Sequence, residues 1–322
     1  MNSKRFLVTG CAGFIGSKLT TQLMKLGAEV LGVDSFSDYY DARLKEQNLK
    51  NILDTNGSFE FMRCDINSSS FVIPNDIDGI FHLAAQAGVR SSWGSEFTNY
   101  VNQNIVSTQK IFENSGRGIP IVYASSSSVY GDSLNFPVSE GDPLQPISPY
   151  GVTKLTCEAL SFAYSKFHQA KIVGLRYFTV YGPGQRPDMA FTKICRALLT
   201  GDEFVVFGTG EQIRDFTFVS DAVDATILLM LEGETGAYNI GGGNQVSLNT
   251  ALKAFEDVSG RKLNLRYVET TKGDVLRTGA STEKIREATG WSPRVEFQDG
   301  IESHWAWAKD NSELLISQIN FK

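Results

Sequence analysis

The chain has 322 residues, 42% hydrophobic and 20% charged, with a formal net charge of −6. That length and composition suit one large or two intimate globular units, each able to bury a core. The acidic balance and the lack of a long basic run argue against nucleic acid as a partner, and no apolar stretch approaches the length of a bilayer span.

Residues 5–9 read as a short buried strand around Phe6, Leu7 and Val8. Gly10, Gly13 and Gly16 follow at once, three apart, and a helical pattern comes next, with Phe14, Ile15, Leu19, Leu23 and Met24 recurring at three and four. Strand, tight turn and helix make a dinucleotide cradle. Gly10 allows the turn, Gly13 admits a pyrophosphate to the backbone, and Gly16 lets the helix lie close to the strand. The N–H groups at the helix start, around Phe14 and Ile15, would face the phosphates. Residues 28–33 form a second strand ending in Asp34, 18 residues after Gly16, where a carboxylate takes the adenosine ribose hydroxyls. Ser35 and Phe36 follow rather than Arg or Lys, so a 2′-phosphate would meet repulsion without a partner. NAD is expected over NADP.

Further strands at 59–65, 79–84, 121–125 and 171–177 alternate with helices that include 98–115 and 149–168. This alternation predicts a parallel sheet covered on both faces, with ligands at the carboxyl ends of its strands. Tyr150 and Lys154 lie four apart on the second of those helices and share a face. A free tyrosine, with a pKa of about 10, is a poor base at neutral pH; a nearby ammonium and a cationic nicotinamide stabilise its phenolate. Four serines, Ser125 to Ser128, close the fifth strand. After residue 177 the pattern changes: 182–187 break regular structure and 189–199 look helical.

The four cysteines, Cys11, Cys64, Cys157 and Cys195, form no Cys-x-x-Cys pair, and His82, His168 and His304 are isolated, so no metal is expected. The first strand starts too early to leave room for a signal peptide, and a reduced, cytoplasmic protein is the simplest reading.

The Gly-x-x-Gly-x-x-Gly loop at 10–16 and Tyr-x-x-x-Lys at 150–154 resemble the extended branch of the short-chain dehydrogenase/reductase superfamily, whose members act on nucleotide sugars. The resemblance implies a Rossmann-like, doubly wound parallel sheet with a smaller α/β substrate-binding lobe. Residues 1–176 and 214–241 would form the NAD-binding domain, and 177–213 and 242–322 the lobe. Residues 214–219 resemble a segment returning to the first domain, and 238–241 its last strand. The resemblance also implies that Asp65, with Ile66, meets the adenine. Leu83, Ala84, Ala85 and Gln86 would run along the cofactor, with Asn104 as the family's helix asparagine and Ser126 on the sugar oxygen being oxidised. Related 4,6-dehydratases carry Asp-Glu at the positions of Ser127 and Ser128, and related UDP-glucuronate decarboxylases carry Glu at that of Ser128. With hydroxyls only, oxidation followed by re-reduction is expected.

Residues 37–41, 85–93, 177–183 and 186–190 are similar to those of bacterial UDP-glucuronic acid 4-epimerases, and the likeness covers nearly the whole chain. Thr179 stands where many neutral-sugar epimerases have Asn. Cys11 replaces a usual small residue, and Ser281 stands where Asp is common. A uronate oxidised at C4 is a β-keto acid that loses CO₂ when its C5–C6 bond aligns with the carbonyl, so its carboxylate needs fixed donors. Ser126, Ser127 and Ser128 offer hydroxyls, and Arg186 offers a guanidinium fork, which could instead bind phosphate. Arg214 would meet the diphosphate, Asp274 and Arg277 the uridine end, and Arg90 a phosphate or a salt-bridge partner. The substrate implied is UDP-glucuronate. UDP-glucose or UDP-N-acetylglucosamine epimerisation, decarboxylation of UDP-glucuronate and non-catalytic NAD binding remain as alternatives. A homodimer through the helices at 98–115 and 149–168 is expected.

Overall fold

The computed structural model describes residue 1, residues 3–269 and residues 275–317. Its strands in chain order are β1 (Arg5–Thr9), β2 (Glu29–Asp34), β3 (Ser58–Arg63), β4 (Gly79–His82), β5 (Ile121–Ser126), β6 (Ile172–Tyr177), β7 (Thr179–Tyr181), β8 (Glu203–Phe207), β9 (Ile213–Phe218), β10 (Gly236–Ile240), β11 (Asn244–Ser247) and β12 (Asn264–Val268).

Seven of these form one parallel sheet in the order β10-β6-β5-β4-β1-β2-β3. The pleat sends alternate residues to opposite faces. In β1, Phe6 and Val8 enter one core with the Phe14–Lys25 and Val219–Glu232 helices, while Leu7 enters a second core with Ile111, Tyr123 and Cys157. Burial on both faces explains why every residue of β4 and β6 is buried, with apolar runs at residues 80–81 and 172–175. The strand order reverses between β1 and β4, and the crevice at their carboxyl ends is where such sheets bind ligands.

A third core, centred on Tyr181, Phe191, Phe216, Phe255 and Trp305, lies under a three-stranded sheet, β11-β9-β7. Phe191 stacks on Phe216 with ring centroids 4.5 Å apart. β8 and β12 pair as a separate two-stranded ribbon.

Three expectations shift. The strands expected to reach Asp65 and Ala84 end at Arg63 and His82, because the chain turns out of the ladder there: Asp65 accepts from the Asn67 N–H, and the Ala84 N–H donates to Thr9 Oγ1. The helix expected at 98–115 is α-helical at Phe97–Tyr100 and Ser107–Asn114, with a π-helical stretch, Val101–Val106, between them. The wider turn carries Asn104 inward. The 214–219 segment is β9 and pairs with β7 and β11 in the smaller sheet. The chain returns to the large sheet through the helix that follows it, Val219–Glu232, and through β10.

Candidate active site

The glycine loop closes as its spacing implies. The Gly10 N–H donates to Val33 O at 2.7 Å and the Gly13 N–H to Gly10 O at 3.0 Å. Gly10 has φ +71°, and a Cβ there would lie 2.8 Å from Ala84 N; a Cβ on Gly16 would collide with Gly10 O. The helix that follows starts at Phe14 with no side-chain cap. Its first-turn N–H groups, those of Phe14 and Ile15, are therefore open to an anion at the positive end of the helix dipole. This uncapped, glycine-lined turn fits a pyrophosphate.

Asp34 closes β2 at 5% exposure. Its Oδ2 accepts from the Ala12 N–H at 3.2 Å, and its Oδ1 from the Phe36 N–H at 2.8 Å and from Lys45 Nζ at 2.9 Å. A carboxylate has about four acceptor positions, so roughly one is left for a ribose hydroxyl. Lys45, on the Ala42–Leu53 helix, is marked in the sequence by neither spacing nor motif. The cation missing beside Asp34 in sequence comes to it through the fold, where its charge is taken by the carboxylate.

The Pro149–His168 helix begins with Ser148 Oγ accepting from the Gly151 N–H at 3.1 Å, and Pro149 occupies the first turn, where its missing N–H costs nothing. This fixes Tyr150 at the helix mouth. One turn on, Lys154 is 3% exposed; its Nζ lies 5.9 Å from the Tyr150 ring centroid and donates to Ala124 O at 2.8 Å. At the end of β5, Ser126 Oγ donates to Ser128 Oγ and accepts from the Ser128 N–H, both at 3.1 Å. Ser127 stands in the same short turn. Ser125 points away and donates to Glu158 Oε1 at 2.6 Å.

Asn104 is fully buried. Its Oδ1 accepts from the Gln86 N–H at 2.7 Å, and its Nδ2 donates to Gln86 O at 3.0 Å and to Thr153 Oγ1 at 2.9 Å. Its amide thus ties the loop after β4, which carries Leu83, Ala84, Ala85 and Gln86, to the helix of Tyr150 and Lys154. Asp65 is exposed and Ile66 buried just beyond β3.

A second set of hydroxyls connects Tyr150 to Arg186. The Tyr100 ring meets the Tyr150 ring edge-on at 6.2 Å. Tyr100 OH is 2.7 Å from Ser91 Oγ, which is 3.4 Å from Tyr39 OH. Tyr39 OH donates to Asp188 Oδ2 at 3.4 Å, and Asp188 grips Arg186. Burial alone would disfavour the Arg186 charge, but Asp188 more than restores it and raises its pKa.

The remaining expected residues make contacts of their own. Thr179 opens β7 opposite Phe216. The Arg90 guanidinium lies 4.1 Å from the Phe207 ring centroid, Arg214 donates to Ile213 O, and Arg277 stacks on Phe136 and donates to Gln245 Oε1. Asp274 lies outside the described residues.

The family model described as GDP-mannose 4,6 dehydratase matches residues 7–304. The chain belongs to this epimerase–dehydratase family. Within it, the chain is 40% identical over 311 residues to the Bacillus subtilis protein named Uncharacterized UDP-glucose epimerase YtcB, covering 94% of this chain and 97% of that protein. It is 36% identical to the UDP-glucuronate 4-epimerase of Thermodesulfobacterium geofontis, over 97% of this chain and 98% of the relative. The crystal structure of UDP-glucuronic acid 4-epimerase from Bacillus cereus, in complex with UDP-glucuronic acid and NAD, superposes with a TM-score of 0.90 at 39% identity, covering 95% of this chain and 99% of that one.

Proposed function

We propose that this family member is an NAD-dependent UDP-sugar 4-epimerase that converts UDP-glucuronate to UDP-galacturonate through a transient 4-keto sugar. The observation that carries the reading is the Tyr150–Lys154 pair beside a serine turn with no carboxylate in it: proton transfer is provided for and elimination is not. The likeness to the Bacillus cereus enzyme, which holds UDP-glucuronic acid and NAD, supports the choice of sugar and cofactor.

The glycine loop and the first-turn N–H groups of Phe14 and Ile15 would hold the pyrophosphate, and Asp34 an adenosine ribose hydroxyl. When bound there, NAD would supply the hydride acceptor and donor for C4 of the sugar. Tyr150, as phenolate, takes the C4 hydroxyl proton through or beside Ser126, and Lys154 stabilises the phenolate from one turn below. After the keto sugar swings about its diphosphate bonds, Tyr150 returns the proton to the other face. Asn104 acts through position, by locking Gln86 to Thr153. Ser127, Ser128, Thr179 and Arg186 would hold the sugar and its carboxylate, and Arg90, Arg214, Asp274 and Arg277 the UDP end.

A second reading, epimerisation of a neutral UDP-sugar, is favoured by the name of the Bacillus subtilis relative. The purified protein, with no NAD added, is to be incubated with UDP-glucuronate, UDP-glucose and UDP-N-acetylglucosamine and the products followed by NMR. Conversion of the glucuronate alone to its C4 epimer is expected; turnover of a neutral sugar instead would reassign Arg186 to phosphate. Tyr150→Phe is expected to lose 10²–10⁴-fold in kcat while keeping its nucleotide.

The protein acts as a homodimer in this reading. Val106, Val152, Phe162 and Phe167, on the two helices expected at the interface, are 38%, 43%, 75% and 77% exposed. Light scattering at low and high concentration tests this. A cytoplasmic setting accords with four free thiols. Among the described residues no helix is long and apolar enough to cross a membrane.

A further inference from the structure

Arg186 carries a partner of its own. Its Nε donates to Asp188 Oδ1 and its Nη2 to Asp188 Oδ2, both at 2.9 Å, in a fork-to-fork pair. The two side chains are 21% and 27% exposed, so the pair is largely out of water. Asp188 is held from the far side by Tyr39 OH, and the three-residue span Arg186-Pro187-Asp188 is stiffened by its proline. A guanidinium offers two edges to carboxylates. Asp188 occupies the Nε–Nη2 edge, and among the described residues no partner takes Nη1, whose edge can receive a second anion.

We propose that Asp188 is a resident competitor for Arg186, and that it sets how firmly the substrate's carboxylate is held so that the sugar can let go when it turns over. This rests on the reading of Arg186 as the uronate clamp. When the 4-keto ring presents its other face, the substituent on C5 moves to the opposite side of the ring's C1–C4 axis. The carboxylate therefore leaves the place it held and finds a partner again within each catalytic cycle. A largely buried guanidinium with no counter-ion would resist that release. With Asp188 in place, the arrival of the substrate carboxylate brings a second anion to Arg186, with Lys193 as a further cation near Asp188. At a separation of about 7 Å and an effective dielectric of about 20, the repulsion between the two anions weakens binding by a factor on the order of fifty. Affinity is lost and mobility gained, which serves an enzyme whose intermediate must rotate. A neutral sugar carries no charge to feel this competition.

The test compares the wild type with Asp188→Asn and Asp188→Glu, using dissociation constants for UDP-glucuronate and UDP-glucose, kcat, and NADH absorbance during turnover. Asp188→Asn is expected to bind UDP-glucuronate on the order of fiftyfold more tightly and UDP-glucose within about twofold of wild type. Its kcat should fall, with NADH absorbance standing higher in the steady state because the keto sugar is slow to turn. Asp188→Glu keeps the charge, so its affinity for UDP-glucuronate should lie closer to wild type than that of the Asn variant. Unchanged or weaker binding of UDP-glucuronate by the Asn variant, or an equal shift for UDP-glucose, would overturn the proposal. If the Asn variant does not fold, Asp188→Ser removes the same charge in a smaller side chain and carries the same prediction. The wild type is assayed first: if it ignores UDP-glucuronate, the uronate reading fails and this inference with it. A wild type that epimerises UDP-glucuronate beside an Asn variant of unchanged affinity sinks the inference alone.

Discussion

Gly151 stands against the backbone of Ser128: a Cβ at position 151 would lie 2.5 Å from the Ser128 carbonyl oxygen. The helix that carries Tyr150 and Lys154 therefore rests its first turn directly on the serine turn that carries Ser126. Gly151→Ala has to push the two apart. Overpacking of this kind costs about 1–3 kcal/mol, and a shift of the reacting groups by a fraction of an ångström costs more in rate than in stability. We expect a modest fall in melting temperature and a fall in kcat of at least about tenfold, with nucleotide still bound. Unaltered kcat would mean that the contact does not set the Tyr150–Ser126 geometry.

The Asp34–Lys45 pair has side chains 3% and 9% exposed. Removing one partner of a buried pair leaves an uncompensated charge and costs about 3–5 kcal/mol. Lys45→Met is expected to lower the melting temperature and to purify with less nucleotide, because Asp34 then lacks the bond from Lys45 that fixes Oδ1. The ratio of absorbance at 260 and 280 nm reads the nucleotide directly; full occupancy in the variant would count against any role for Lys45 at the cofactor.

A second buried pair lies one turn beyond Lys154. Arg176 donates to both oxygens of Glu158, Nε to Oε1 at 3.0 Å and Nη2 to Oε2 at 2.7 Å, and through Nη1 to Tyr130 OH at 2.7 Å. Tyr130 in turn donates to Asn239 Oδ1 at 2.7 Å. The network joins the catalytic helix to β5, β6 and β10. Glu158→Ala and Arg176→Ala should each cost about 3–5 kcal/mol in chemical denaturation. The double variant should cost clearly less than the sum, since neither charge is then left alone. Additive losses would show that the two residues act separately.

His82 and His304 make folding sensitive to acid. Burial pushes the pKa of each down to about 3, with Lys154 adding to the effect at His82. An unfolded chain protonates both near 6.5. Between those values the unfolded state binds more protons, so stability is complete above about pH 6.5 and falls as pH drops toward 3, by up to about 1.4 kcal/mol per unit for each histidine. His82 has hydroxyl partners in Thr9 and Thr108, whereas neither ring nitrogen of His304 has a partner among the described residues. His304→Phe, set among Phe191, Phe255 and Trp307, should therefore gain about 1–3 kcal/mol at pH 7 and weaken the acid dependence. Urea melts at pH 5 and pH 7 decide it; equal pH slopes in variant and wild type would clear His304.

Much of this was legible in the chain because its causes are local. Three glycines, three apart after an apolar strand, specify a turn that only glycine can make at Gly10, and Tyr150 and Lys154 share a face because helical residues four apart always do. The short apolar runs inside β1, β4 and β6, at residues 6–8, 80–81 and 172–175, fit a sheet covered on both sides. The arrangements that tertiary structure alone decided join residues with no periodic relation. Lys45 reaches Asp34 because a helix docks beside β2, and Arg176 meets Glu158 because β6 lies under the catalytic helix. The π-helical turn shows Asn104 to Gln86 and Thr153, and β9 found its hydrogen-bond partners in the smaller sheet. Arg186 and Asp188 are two apart, yet their pairing depends on the fold of the 182–189 loop and on Tyr39 from a distant one. Periodicity and spacing reach a few residues along the chain, whereas a buried charge takes whichever partner packing brings within about 3 Å.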